Sequence, residues 1–403
     1  MAGVLYMVYS VLKIYLFNPS IVKAIKIPPI LPLFPYLPQV FKLDFLPPFY
    51  FTYWIIILAV IAITHEMAHG IFAVYNKVKI KTTGFGFFPW FLPIFLAAFV
   101  ELDEKRMAKK KTFPQLAILA GGTFANVLTA ALFLFVLFGF FSMAFSPAGV
   151  IYDNYATSRI PIAGISMFNN ISLNNASYEK ILNLSKSDGF NYMIFMNQSY
   201  LATKKTIEDQ KDNPGSILVY NNAPAIRENI SSIILNINGV KIDTIKKLQI
   251  ELRKYKPGDN ITITGKTDNG FLDKSVVLDE RPGKPGTAWL GIGFFDKTPQ
   301  GIIGNIVSKF SSFRNPNVYY APKFNGISVF IYNLLWWIVI ISISVALINM
   351  LPVGIFDGGR FFYLTVFALT KNEKISKKAF AFTTYLFLFI LFLLMVFWFF
   401  SFL

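Results

Sequence analysis

Four stretches of this chain are too long and too apolar to be packed inside a water-soluble domain: Phe51 to Tyr75, Leu116 to Phe145, Ile327 to Leu351 and Ala379 to Leu403. A helix that crosses the hydrocarbon layer needs about 20 mostly apolar residues, and each stretch supplies them. The expected fold class is therefore a polytopic α-helical membrane protein. Hydrophobic residues make up 54% of the chain and charged residues 15%, well short of the roughly 25% charged in soluble domains. A shorter run, Val4 to Phe17, is followed by Pro-rich sequence rather than a small-residue cleavage site, so it reads as a retained anchor. Another, Ile355 to Leu369, is too short to cross easily, and the total comes to about five or six transmembrane helices. Prolines recur between Ile27 and Pro48 and rule out a continuous helix there. Gly84 to Val100 is as apolar as a span but holds Gly84, Gly86, Pro89 and Pro93, which suits a re-entrant hairpin.

The net charge of +16 is crowded into short loops beside the apolar runs. Lys77, Lys79, Lys81, Lys105, Arg106, Lys109, Lys110 and Lys111 follow the first long span, and Arg360, Lys371, Lys374, Lys377 and Lys378 cluster later. Basic loops of this kind stay on the cytoplasmic side, facing anionic lipid, so the bilayer and not nucleic acid is the expected partner of the charge. Alternation then puts the segment from about Ser146 to Lys323 on the opposite side of the cell membrane. With no cysteine, disulfides, thiolate metal sites and a cysteine nucleophile are excluded.

Within that segment, Ser216 to Phe295 reads as a small strand-rich domain. Ile233 to Ile242 forms two β-type runs around Asn238-Gly239, a pairing favoured in tight hairpins. A helix is expected from Thr244 to Tyr255, then strands in the NITITG and KSVVLD stretches, separated by turns. This order resembles a PDZ domain, and Ala223-Pro224-Ala225 is similar to the small-Pro-Ala step of protease-associated members, although the usual Gly-Asp before the hairpin is missing. Residues 151 to 214 are polar and Asn-rich, with a degenerate first copy of the same module as one reading. The expected division is an anchor and Pro-rich segment over 1–50, a membrane core with the hairpin over 51–145, a polar extramembrane segment over 146–215, the PDZ-like domain over 216–295, a linker over 296–326 and a second membrane core over 327–403.

The sequence His65-Glu66-Met67-Ala68-His69 falls inside the first long apolar run, where a helix is expected. Four residues make about one turn, so both imidazoles leave the same face and can share one zinc ion. Glu66, the next residue round, can take a proton from a zinc-bound water without itself binding the metal. These are the only histidines among 403 residues, and random placement gives this spacing about once in two hundred chains of such length. Glu66 is also the only acid between Asp44 and Glu101. Ionisable groups at membrane depth are costly, and they mark functional sites.

A catalytic zinc takes three protein ligands, so one is missing. No third histidine exists, which leaves a carboxylate. From Ile327 onward the only acids are Asp357 and Glu373, and Glu373 sits in a solvated Lys-Asn-Glu-Lys turn. Asp357 follows Asn349-Met350-Leu351-Pro352 and precedes Gly358-Gly359, where proline and glycine break the helix and free the carboxylate. The plain alternative is that Asp357 caps the helix that follows it.

An HExxH within a membrane helix, followed far downstream by Asn-x-x-Pro and Asp-Gly, resembles the site-2 protease family of intramembrane metalloproteases, peptidase family M50. The resemblance covers about Phe51 to Phe145 and Ile327 to Leu369, with Phe356 where the family usually has Leu. Gly121-Gly122-Thr123-Phe124-Ala125-Asn126 is similar to the family's Gly-rich step ending in Asn. What this implies is Zn2+ on His65, His69 and Asp357, with Glu66 as general base and acid. It further implies Asn349 on the substrate backbone, Asn126 in support near the substrate, and a hairpin that pairs with an unwound transmembrane protein substrate. The competing readings are a catalytically inactive membrane zinc protein acting as a scaffold, and a transporter.

Overall fold

The structure, a computed structural model, describes residues 1–17, 28, 33–43, 46–88, 94–211, 215–295 and 313–400. Parts of the expected Pro-rich segment, residues 89–93 of the expected hairpin, most of the expected linker and the last three residues lie outside the described residues. The chain divides into two compact units, residues 1–144 with 324–403, and residues 145–323.

The first unit is helical. Its main helices are α1 (Ala2–Phe17), α2 (Phe51–Tyr75), α3 (Thr112–Ala144), α4 (Asn325–Asn349), α5 (Asp357–Thr370) and α6 (Glu373–Phe400). Among the described residues α2, α3, α4 and α6 are long and apolar enough to cross a membrane. Their outward faces carry Leu132, Phe135, Phe382, Phe389 and Phe392, all exposed, a surface that water would not tolerate but lipid does. Helix α1 has 16 residues, or about 24 Å at 1.5 Å each, shorter than the hydrocarbon layer. Val4 and Val8 of α1 share a buried cluster with Met350, Leu351, Val353 and Phe387, so α1 backs the loop between α4 and α5.

The expected re-entrant segment is a two-stranded antiparallel hairpin, β1 (Ile80–Phe88) with β2 (Ile94–Leu102), and it starts four residues earlier than Gly84. Helix α2 packs on α4 through Tyr53, Ile57 and Ile61 against Trp337, Ile338 and Ile341.

The second unit repeats one order of elements. In the later copy, strand Ile233–Ile237 turns at Asn238-Gly239 into Val240–Lys241, followed by helix Ile245–Leu252 and the hairpin Asn260–Thr267 with Gly270–Val277. In the earlier copy, Ile165–Phe168 turns at Asn169-Asn170 into Ile171–Ser172, followed by helix Tyr178–Asn183 and the hairpin Asn191–Phe195 with Gln198–Ala202. Even the turn contacts match. Asn238 and Asn169 both adopt positive φ, 46° and 48°. Each donates its backbone N–H to a carbonyl of the following hairpin and accepts an N–H from the same residue on its side chain, Thr262 in one copy and Tyr192 in the other. Each copy has its own core, one around Ile234, Ile237, Leu248 and Ile263, the other around Ile165, Phe168, Ile181 and Met193.

The division at residue 216 does not follow the sheets. Ser216–Asn221 pairs with Thr157–Pro161 and with Gln198–Ala202, and so closes the earlier copy. The later copy instead recruits Phe145–Ile151 and, within the expected linker, Val318–Pro322, which pair with each other. Pairing requires a facing edge, and no local sequence signal fixes which copy offers one.

Candidate metal centre

Helix α2 projects His65 and His69 from one face, one turn apart, and both are 8% exposed. Their Nε2 atoms lie 3.0 Å apart. Asp357 reaches the same point from the start of α5: its Oδ2 is 3.4 Å from His65 Nε2 and 3.3 Å from His69 Nε2. A tetrahedral ion with bonds of 2.0 to 2.1 Å separates its ligands by about 3.3 Å, so this triangle matches one face of such a tetrahedron. It is a group of three metal-ligating side chains among the described residues that could hold an ion.

Each ring is oriented from behind. His69 Nδ1 lies 2.8 Å from the carbonyl oxygen of Ile118, which can only accept, so Nδ1 carries the proton and Nε2 offers its lone pair. His65 Nδ1 lies 3.0 Å from the amide of Asn126, a residue with no exposed surface. The amide oxygen of Asn126 is buried without a partner, and a half-turn of the amide presents it to the Nδ1–H as the same tautomer requires. Asn126 does not line the cavity. It stands behind the His65 ring.

Glycine makes the approach of α3 to α2 so close. A Cβ on Gly122 would stand 2.4 Å from His69 Nε2 and 2.5 Å from His65 Nε2. The loop that delivers Asp357 is equally tight, because a Cβ on Gly358 would meet Met350 C at 2.4 Å and one on Gly359 would meet Val353 O at 2.3 Å. Asp357 is the first residue of α5 rather than its cap, a position held by Phe356. The cap alternative therefore does not describe where its carboxylate goes.

The trio opens into a cavity of about 950 Å³, lined also by Glu66, Asn349, Ile341, Ala98, Val100 and Arg360. Glu66 Oε2 accepts a hydrogen bond from the backbone N–H of Val100 at 3.0 Å. Val100 faces Thr83 in the ladder, and its N–H points away from β1, so the outer edge of β2 faces the cavity. The hairpin is legible in the sequence, whereas the bond from one of its amides to Glu66 joins segments 34 residues apart and has no local signal. At the rim, the Lys81 ammonium, 3.0 Å from Glu101, holds that carboxyl below its usual range.

A comparison with protein-family descriptions matches Peptidase family M50 over residues 53–394, most of the chain. The chain belongs to peptidase family M50. It is thus an integral membrane protein of a family of membrane zinc metalloproteases, with a β-rich region set between helical segments. No curated protein matches the chain. The M50 match takes in the α2 and α5 segments that carry the trio.

Proposed function

We propose that this M50 member is an intramembrane zinc metalloendopeptidase that hydrolyses peptide bonds of membrane-spanning substrates. The observation that carries the reading is the triangle of His65 Nε2, His69 Nε2 and Asp357 Oδ2 beside Glu66 in one cavity. Zinc held there would supply a water acidic enough to attack at neutral pH. Glu66 takes the proton from the attacking water and returns it to the leaving amine. Asn349, at the end of α4 and in the cavity wall, holds the substrate backbone, and Asn126 acts through His65.

A substrate helix hides its carbonyls in its own hydrogen bonds, and an added strand exposes them. The outer edge of β2 offers that partner, with the backbone groups of Val100 and Ala98 pointing the same way. On arrival the substrate takes over the Val100 N–H and frees the Glu66 carboxylate. The basic loops put the cavity near the cytoplasmic face and the PDZ-like copies on the other side.

The test is Glu66→Gln with a model transmembrane substrate. Gln keeps an acceptor for Val100 but cannot take a proton. Metal content should stay at the parent's level while cleavage falls by about 10²- to 10⁴-fold. A Gln variant that cuts at the parent's rate would reject Glu66 as the base, and a metal-loaded parent that cuts nothing would favour a scaffold or transporter.

A separate expectation concerns the earlier extramembrane copy. Asn191 has no exposed surface, and its amide bonds Lys186 N at 2.7 Å, Asn169 Nδ2 at 2.8 Å and Ala202 O at 3.3 Å. Asn191→Ala strands these partners and should destabilise that copy by about 1–3 kcal/mol. Denaturant melting of the extramembrane unit within the full chain measures it, and an unshifted midpoint would contradict the bonding.

A further inference from the structure

Glu104 and Arg360, 256 positions apart in sequence, meet fork to fork in the wall of the cavity. Arg360 Nη1 donates to Glu104 Oε1 at 2.9 Å, and Nη2 donates to Oε2 at 2.6 Å. A bidentate pair of this kind fixes orientation as well as distance. Glu104 opens the short helix Glu104–Ala108 directly after β2, where the Asp103 side chain caps the turn by accepting from Arg106 N. Arg360 stands three residues after Asp357, one turn along α5. Met107 of the same short helix and Leu364 of α5 belong to one buried apolar cluster, together with Ile118 and Leu119 of α3.

At its other side β2 is bound to α2 through Val100 N–H and Glu66. One strand therefore touches the element carrying the general base and is tied to the element carrying the third metal ligand. We infer that Glu104 and Arg360 are a positioning pair that fixes the register of β2 against the Asp357 helix, and so decides which peptide bond of an added substrate strand lies over the metal site. This rests on the protease reading above. Neither side chain touches the reacting atoms. Their effect passes through the placement of a strand.

The pair is partly exposed, with side chains 38% and 60% accessible, and exposed pairs of this kind contribute modestly. The expected loss is correspondingly modest in rate and more visible in position. A strand that slips keeps its side chains on the same faces only if it moves by two residues. Glu104→Gln and Arg360→Gln should each lower kcat/KM about fivefold. They should also add products cut two residues to either side of the parent's bond, with metal content at the parent's level. Arg360→Lys keeps the charge but loses the fork, and should show the added products more weakly. Exchanging the charges, Glu104→Arg with Arg360→Glu, should restore a single product.

The experiment is mass spectrometry of the products from one transmembrane substrate, with kcat, KM and metal content measured on the same preparations. Single variants that cut only the parent's bond at the parent's rate would overturn the inference. So would single variants that lose metal, since the pair would then be scaffolding for the metal centre rather than for the strand. If the exchanged pair fails to fold, the contrast between Arg360→Lys and Arg360→Gln decides alone: equal product patterns overturn it. A parent that cuts nothing removes the protease reading and this inference together, whereas a cutting parent with unaltered variants removes only the inference.

Discussion

Gly122→Ala is expected to abolish metal binding and, with it, cleavage. The added methyl would stand 2.4 Å from His69 Nε2 and 2.5 Å from His65 Nε2, the atoms that would bind an ion. Real carbon atoms do not approach nitrogen that closely, so either the rings turn or α2 and α3 part. Turning the rings breaks the His69 contact with Ile118 O and the His65 contact with Asn126. Moving α3 takes both of those partners away from α2, because Ile118 and Asn126 lie on either side of Gly122 on the same helix. Disturbing such partners alone weakens metal binding by about 10- to 100-fold, and here the ligand atoms are displaced as well, so the loss should exceed that range. Gly121→Ala is the control. Its methyl would meet the edge of the Phe72 ring at 2.9 Å and Ala68 O at 3.4 Å, and a ring edge can tilt. That variant should cost about 1–3 kcal/mol of overpacking and keep its metal. Metal analysis of both purified proteins separates them, and a Gly122→Ala protein with full metal would show that α3 does not pack on the rings as described.

Much of this site could be read in advance because its constraints are local or arithmetical. A helix puts residues 65 and 69 on one face wherever the rest of the chain goes. Asp357 stood out because only one other acid follows Ile327, and that one is solvated. What could not be read depends on contacts between distant segments. Gly121 and Gly122 are visible as a Gly-rich step, but only the meeting of α2 and α3 shows which glycine guards the rings. The pair in the cavity wall joins Glu104 and Arg360, and nothing near either one names its partner. Asn126 was expected in a supporting role near the substrate, and its contact with the His65 ring was not legible, because a family motif gives a residue's position in the chain and not the direction of its side chain. In the β-rich unit, the later copy was legible from its Asn-Gly turn and alternating strands. The earlier copy has Asn-Asn at the same turn and shorter strands, and its closing strand, Ser216–Asn221, carries the same β pattern as its neighbours. Phe145 looked like the end of a span, yet the helix stops at Ala144 and Phe145 begins a strand. An apolar run does not record where its backbone partner changes.

Asp357→Ala should leave a folded protein without metal. The fold should survive because α5 is seated by backbone packing rather than by the carboxylate: Gly358 and Gly359 lie against Met350, Leu351 and Val353, and α1 backs that loop through Val4 and Val8. The metal should go because two neutral imidazoles remain, without the anion that completes the triangle and offsets the charge of a divalent ion. Losing a ligand outright should weaken binding beyond the roughly 10- to 100-fold seen when only its outer partners are changed. Asp357→Asn sharpens the test, since it keeps the shape and one oxygen but removes the charge, and it should also lose metal. Glu66→Gln supplies the complementary case, in which metal stays and only cleavage falls. Equilibrium metal analysis, read together with the melting temperature with and without added zinc, measures all three. Only the parent and Glu66→Gln should be stabilised by zinc, as expected for an ion that binds the folded state. Zinc stabilisation of Asp357→Ala equal to the parent's would mean that the ion sits elsewhere, and that the three side chains meet for another reason.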